Sequence, residues 1–116
     1  MKTTIILNDA PYGNERSYNG LRLAKALLKN DPQAELSVFL MADAVGCAKR
    51  DQKTPNGFYN IELMLKAILR QGKVLLCGTC MDARGLNEND VIDGATRSTM
   101  DELSELTINS DKTLIF

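Results

Sequence analysis

KVLLCGTCMDARG, residues Lys73 to Gly85, decides how the rest of the chain is read. It opens as an apolar strand, Lys73 to Cys77, and turns into a small polar loop. Two of the chain's three cysteines, Cys77 and Cys80, stand at the join. A strand that ends in chemistry-bearing residues is the arrangement of α/β sheets, whose ligands sit beyond the carboxyl ends of the strands.

The neighbouring stretches fit that reading. Lys2 to Asn8 carries the run Ile5-Ile6-Leu7 without apolar–polar alternation, as expected of a strand covered on both faces. After the turn-rich DAPYGNERS, Leu21, Ala24 and Leu28 recur at helical spacing, which predicts a helix over Ser17 to Lys29. Pro32 ends it, because the residue before proline disfavours the helical region. Glu35 to Met41 reads as the second strand, and Ala42 to Arg50 as a short helix followed by a loop at Thr54 to Gly57. Ile61, Met64, Leu65 and Ile68 mark the next helix, and Gly72 stands where it ends. A brief fourth strand is expected at Ala95 to Arg97. A last helix follows, with Ser98 as N-cap, Asp101 completing an imperfect capping box, and Met100, Leu103 and Leu106 on the buried face. KTLIF closes the chain as a fifth strand. Strands alternating with helices give an α/β class with a mostly parallel sheet.

The 116 residues fit one domain, 1–116, large enough to bury a core without staples. Fourteen basic and fifteen acidic residues leave a net charge of −1. The basic residues are scattered among acids, which argues against direct nucleic-acid binding. The absence of histidine excludes a Ser-His-Asp triad, a Cys-His pair and any histidine metal ligand within one chain. MKTTIILNDAP does not read as a signal peptide, and no run approaches a membrane span. The expected setting is the reducing cytosol, where the cysteines are read as thiols.

A Cys-x-x-Cys in such a chain points to a redox pair. If a helical turn begins after Gly78, the N–H groups that follow it lie near the sulfurs, and Arg84 adds a cation on the face of Cys80. Both favour thiolate, the reactive form. Two buried thiols with no chemistry fit the same spacing. Structural zinc wants four ligands, and three cysteines without histidine fall short unless subunits or carboxylates complete the set. No metal is therefore expected. Cys47 reads as a packing residue. Gly13 and Gly20 match neither the dinucleotide nor the P-loop pattern, and no cofactor is expected. If the first and third strands are neighbours, Asp9, Pro11, Tyr12 and Glu15 line a wall of the cysteine cleft. Tyr59 and Asn60 read as packing residues or, if exposed, as part of a subunit interface.

Together these segments resemble the DsrE/DsrF-like family, and its YchN-like branch in particular, over essentially the whole length. The resemblance rests on NDAPYGNERSYNGLRLAKAL, LSVFLMADAV, KTPNGFYNIELML, LLCGTCMDARGL and DKTLIF. It implies a flavodoxin-like three-layer α/β/α fold with a five-stranded parallel sheet, and symmetric assembly as a homotrimer or homohexamer. Some members carry sulfur as a cysteine persulfide, passed between donor and acceptor proteins. Their sulfur-bearing cysteine lies seven residues before the Arg of an Arg-Gly step; here Cys77 stands so before Arg84 and Gly85. Cys80 belongs to the YchN-like pattern. The resemblance thus implies a sulfur carrier or sulfurtransferase using Cys77; position in the chain makes Cys80 the accessory thiol and adds Gly78, Thr79 and Arg84 around it, with Pro11 and Tyr12 if the first and third strands are neighbours. A dithiol–disulfide module and a non-catalytic oligomeric small-ligand-binding protein remain alternatives.

Overall fold

In the computed structural model, residues 1–55 and 59–116 are described. Five strands form one sheet: β1 (Lys2–Leu7), β2 (Glu35–Leu40), β3 (Lys73–Cys77), β4 (Ala95–Ser98) and β5 (Lys112–Ile115). The helices are α1 (Arg16–Asn30), α2 (Ile61–Leu69), α3 (Gly78–Ala83) and α4 (Met100–Asn109). Two 3₁₀ helices, Ala42–Ala48 and Glu88–Asp90, fill the connections after β2 and α3. The loop expected at Thr54 to Gly57 lies partly outside the described residues.

The sheet order is β4-β3-β2-β1-β5, and every pairing is parallel. The chain steps from β1 to β4 in one direction, then returns across the sheet to place β5 beside β1. Right-handed crossovers put helices of opposite step direction on opposite faces. Side chains confirm this, because successive strand residues point to opposite faces. Leu7 faces Gly20 of α1, whereas the Thr4 hydroxyl lies 2.7 Å from that of Ser110, which ends α4. Helix α1 packs on α2 over one face, and α4 covers the other, which makes three layers.

Burial explains the central strands. Residues 3–7 of β1 and 36–40 of β2 are all buried, so neither strand alternates. In α2 the Asn60 side chain accepts from the Leu63 N–H at 3.1 Å and caps the helix. Gly72 then passes so close to β2 that a Cβ there would sit 2.9 Å from the Leu36 carbonyl oxygen. The glycine is required by backbone proximity.

Three expectations are corrected. Strands β1 and β3 are not neighbours, because β2 runs between them. The N-cap of α4 is Thr99, whose hydroxyl oxygen accepts from the Glu102 N–H at 3.1 Å, and not Ser98. Ser98 still belongs to β4, in register with Cys77, and its hydroxyl donates to the Glu102 carboxylate instead. Met100 is 59% exposed, while Leu103 is buried. The helix begins at the edge strand, whose Thr96 and Arg97 are themselves exposed, so no layer receives Met100. No helix among the described residues is long and apolar enough to cross a membrane.

Candidate functional site

Strand β3 ends at Cys77, and α3 starts at the next residue, with Cys77 in the N-cap position. The first N–H groups of a helix have no partner within it. Those of Thr79 and Cys80 favour an anion on the Cys77 sulfur, although Cys77 makes no side-chain capping hydrogen bond. The Thr79 hydroxyl lies 3.3 Å from Cys77 Sγ, within hydrogen-bond reach, and the Cys80 thiol also favours the anion. Burial, the largest single influence, pushes the Cys77 thiol up; the polar groups of Thr79 and Cys80 together outweigh it and hold the group below the ordinary thiol value. Cys77 is 7% exposed, so its charge is stabilised by fixed protein dipoles more than by water.

Cys80 moves the other way. Burial and the neighbouring Cys77 sulfur push its thiol up, against an opposing hydrogen bond from the Ala42 N–H at 3.2 Å. Ala42 supplies that N–H from the left-handed region, φ +49°, which is uncommon for a residue with a side chain. The pair is therefore unequal: the Cys77 thiol is held below its ordinary value and the Cys80 thiol above it.

The two arginines nearby divide between the cysteines. Arg84 donates from Nε to Asp43 at 2.9 Å and from Nη1 to the Cys80 carbonyl at 3.1 Å. It ties the end of α3 to the 3₁₀ helix after β2, and its charge favours the thiolate of Cys80. Gly85 follows at φ +65°, the left-handed conformation that commonly closes a helix. Arg97, on the neighbouring strand β4, was not singled out by spacing. Both of its terminal nitrogens reach Asp82, at 2.8 and 2.7 Å, and its guanidinium lies against Gly78. The β3–β4 register, which pairs Arg97 with Leu76, sets it beside the end of β3.

The other expected residues lie elsewhere. Pro11 packs on Gly46. The Tyr12 hydroxyl donates to Gln52 at 2.6 Å and accepts from the Ile61 N–H at 3.3 Å. With β2 intervening, the Asp9–Arg16 loop lies beside the Ala42–Ala48 helix, where the Cys47 thiol approaches the Asp9 carbonyl at 3.9 Å. Cys47 is fully buried, and burial pushes its thiol up to about 12. Tyr59 is exposed and stacks on Tyr18 with ring centroids 4.5 Å apart. A groove of about 670 Å³ is lined by Lys2, Glu35 and Lys73, at the amino ends of the strands, opposite Cys77. Among the described residues, no three His, Cys, Asp or Glu side chains gather as a metal site.

Comparison with known proteins covers the whole chain. The model of the DsrE/DsrF-like family matches residues 1–116. Protein YchN of Escherichia coli K12 is 44% identical over 116 residues, spanning 99% of this chain and 98% of that one. The uncharacterized protein MJ0989 of Methanocaldococcus jannaschii is 40% identical over 117 residues, covering both chains completely. The crystal structure of the E. coli ychN protein superposes with a TM-score of 0.92 over 99% of this chain and 98% of that one. MTH1491 of Methanobacterium thermoautotrophicum, a protein of unknown function, shares the fold with a TM-score of 0.79 at 12% identity, over 99% of this chain and 97% of its own.

Proposed function

The chain belongs to the DsrE/DsrF-like family, and from that premise we propose that it carries sulfur as a persulfide on Cys77. One observation supports this most: Cys77 Sγ, at the carboxyl end of β3, lies 3.3 Å from the Thr79 hydroxyl at the start of α3, and the polar groups of Thr79 and Cys80 favour a sulfur anion without a general base. The Cys77 thiolate attacks the outer sulfur of a donor persulfide. A new S–S bond forms at Cys77, the donor S–S bond breaks, and the donor cysteine leaves as thiolate. An acceptor thiolate then repeats the exchange and returns Cys77 to its starting state. No net oxidant or reductant is consumed. The polar groups of Thr79 and Cys80 that favour the Cys77 thiolate also suit the thiolate that departs in the second exchange.

The test is intact-protein mass spectrometry after exposure to a small-molecule persulfide donor. The expected result is a dithiothreitol-sensitive gain of one sulfur atom, abolished in Cys77→Ser. Wild-type protein that gains no sulfur would contradict the reading.

A dithiol–disulfide module is the second reading, favoured by the opposite pull of the two neighbouring thiols on each other's titration. The assembly we attach to the first reading is a homotrimer or homohexamer. Exposed Ile108, Ile115 and Met100, on α4, β5 and the start of α4, give it apolar surface to bury. Light scattering should return a trimeric or hexameric multiple of the 12.8 kDa chain, and a monomeric mass would contradict it.

A further inference from the structure

The sequence draws attention to Arg84 as the cation for the reactive sulfur, yet the fold engages Arg84 with Asp43 and the Cys80 carbonyl. The residue with the better claim lies on the adjacent strand. Arg97 is fixed at both terminal nitrogens by Asp82 and laid flat against Gly78, the residue that follows Cys77. A Cβ at position 78 would fall 2.7 Å from Arg97 Nε, 2.8 Å from Cζ and 2.9 Å from Nη2. Gly78 does not adopt the left-handed backbone that demands glycine, since its φ lies outside that range. Glycine at 78 therefore makes room for a guanidinium. The room is useful only if the guanidinium belongs beside the turn that carries Cys77.

We infer that Arg97, seated by Asp82 over Gly78, is the positioning cation of the Cys77 site: it stabilises negative charge on the Cys77 sulfur, and Gly78 exists to admit it. The inference rests on the reading of Cys77 as the sulfur acceptor, and it adds which side chain sets that sulfur's charge. A planar, permanently charged group suits the task, because a fork held on a carboxylate keeps its orientation while its face remains free. The charged and titratable groups around Cys77 come from several elements. Cys80 and Asp82 lie on α3, Arg84 at its end, Asp43 on the 3₁₀ helix after β2, Arg97 on β4, Glu88 in the second 3₁₀ helix, and Glu102 on α4 against Ser98. Cys77 and Arg97 interact electrostatically, with the thiolate favouring the charged guanidinium. Removing a guanidinium that lies against Gly78, which also leaves Asp82 without its partner, should raise the pH at which the thiolate forms.

The test is the pH profile of Cys77 alkylation in the full chain, followed residue by residue with peptide mass spectrometry. Arg97→Gln should move the midpoint up by about 0.5 to 1 pH unit, a modest shift because the guanidinium is itself paired with Asp82. Gly78→Ala should produce the same upward move by displacing the guanidinium. Arg97→Lys, which keeps the charge but not the fork, should restore at least half of the difference. A merely structural role for Arg97 would slow or unfold the protein without shifting the midpoint in this pattern. An unchanged midpoint in Arg97→Gln would overturn the inference, and so would a shift produced by Arg84→Gln but not by Arg97→Gln. Should Gly78→Ala fail to fold, the Gln and Lys variants decide the matter alone. Persulfide plays no part in this readout. A protein that shows the Arg97 shift but takes no sulfur refutes the sulfur-carrier reading and leaves the charge assignment standing.

Discussion

At about pH 7, Cys77 is expected to alkylate at least about a hundredfold faster than Cys47, with Cys80 between them. With its thiol near 12, Cys47 holds about one thiolate in 10⁵ at neutral pH. An ordinary thiol holds a few in a hundred, and Cys77 lies on the reactive side of ordinary. The populations thus differ by about a thousandfold or more. A thiolate of high pKa is intrinsically the better nucleophile, which narrows the gap by roughly a few tens. Closure of the core around Cys47, which has no exposed surface, widens it again. Cys80 is half-buried but pushed up by burial and by Cys77, so it follows Cys77. Residue-resolved labelling with iodoacetamide checks the order. Equal rates at Cys77 and Cys47 would remove the physical basis for treating them differently.

Phe39→Ala is expected to have the largest effect on stability. Phe39 is fully buried in β2, with Ile6 and Leu75 beside it in register on the adjacent strands. Truncating a buried Phe costs about 3–5 kcal/mol, as lost transfer energy and a residual cavity. Domains of this kind hold about 5–15 kcal/mol in total, so the variant should approach the unfolding threshold. Because β2 separates β1 from β3, the loss should also loosen the strand that presents Cys77. Denaturant midpoints at fixed protein concentration measure the effect, with the slope unchanged if the unfolded state is unaltered. A loss below about 1 kcal/mol would mean that the site had repacked around the gap.

Much of the fold could be read from local pattern. Unalternating apolar runs identified β1, β2 and β3, and helical spacing identified α1 and α2, because both signals report burial directly. Strand order left no such trace. The proximity of β1 to β3 was a matter of topology, and β2 lies between them. The end of β4 shows the same limit on a smaller scale. Ser98 and Thr99 are both good caps, and only the register with Cys77, which keeps Ser98 in the strand, distinguishes them.

The site divides along the same line. Cys77, Gly78, Thr79 and Cys80 were legible because their relationship is local: a strand ends and a helical turn begins. Arg84 was found for a similar reason, four residues beyond Cys80, and the fold does place it near Cys80. Arg97 is twenty residues from Cys77 in the chain and reaches the site through sheet pairing, which no spacing rule reveals. Pro11 and Tyr12 were placed at the cleft only on the condition that β1 and β3 are neighbours, which the sheet order does not meet; within one chain they contact Gly46, Gln52 and Ile61.

The most direct measurement of sulfur carriage follows isotopically labelled sulfur from a persulfide donor into the Cys80→Ser variant, where fragmentation of the labelled peptide locates it. The account predicts one labelled sulfur on Cys77, discharged when an acceptor thiol is added. Label that never reaches Cys77, or that arrives equally in Cys77→Ser, would contradict it.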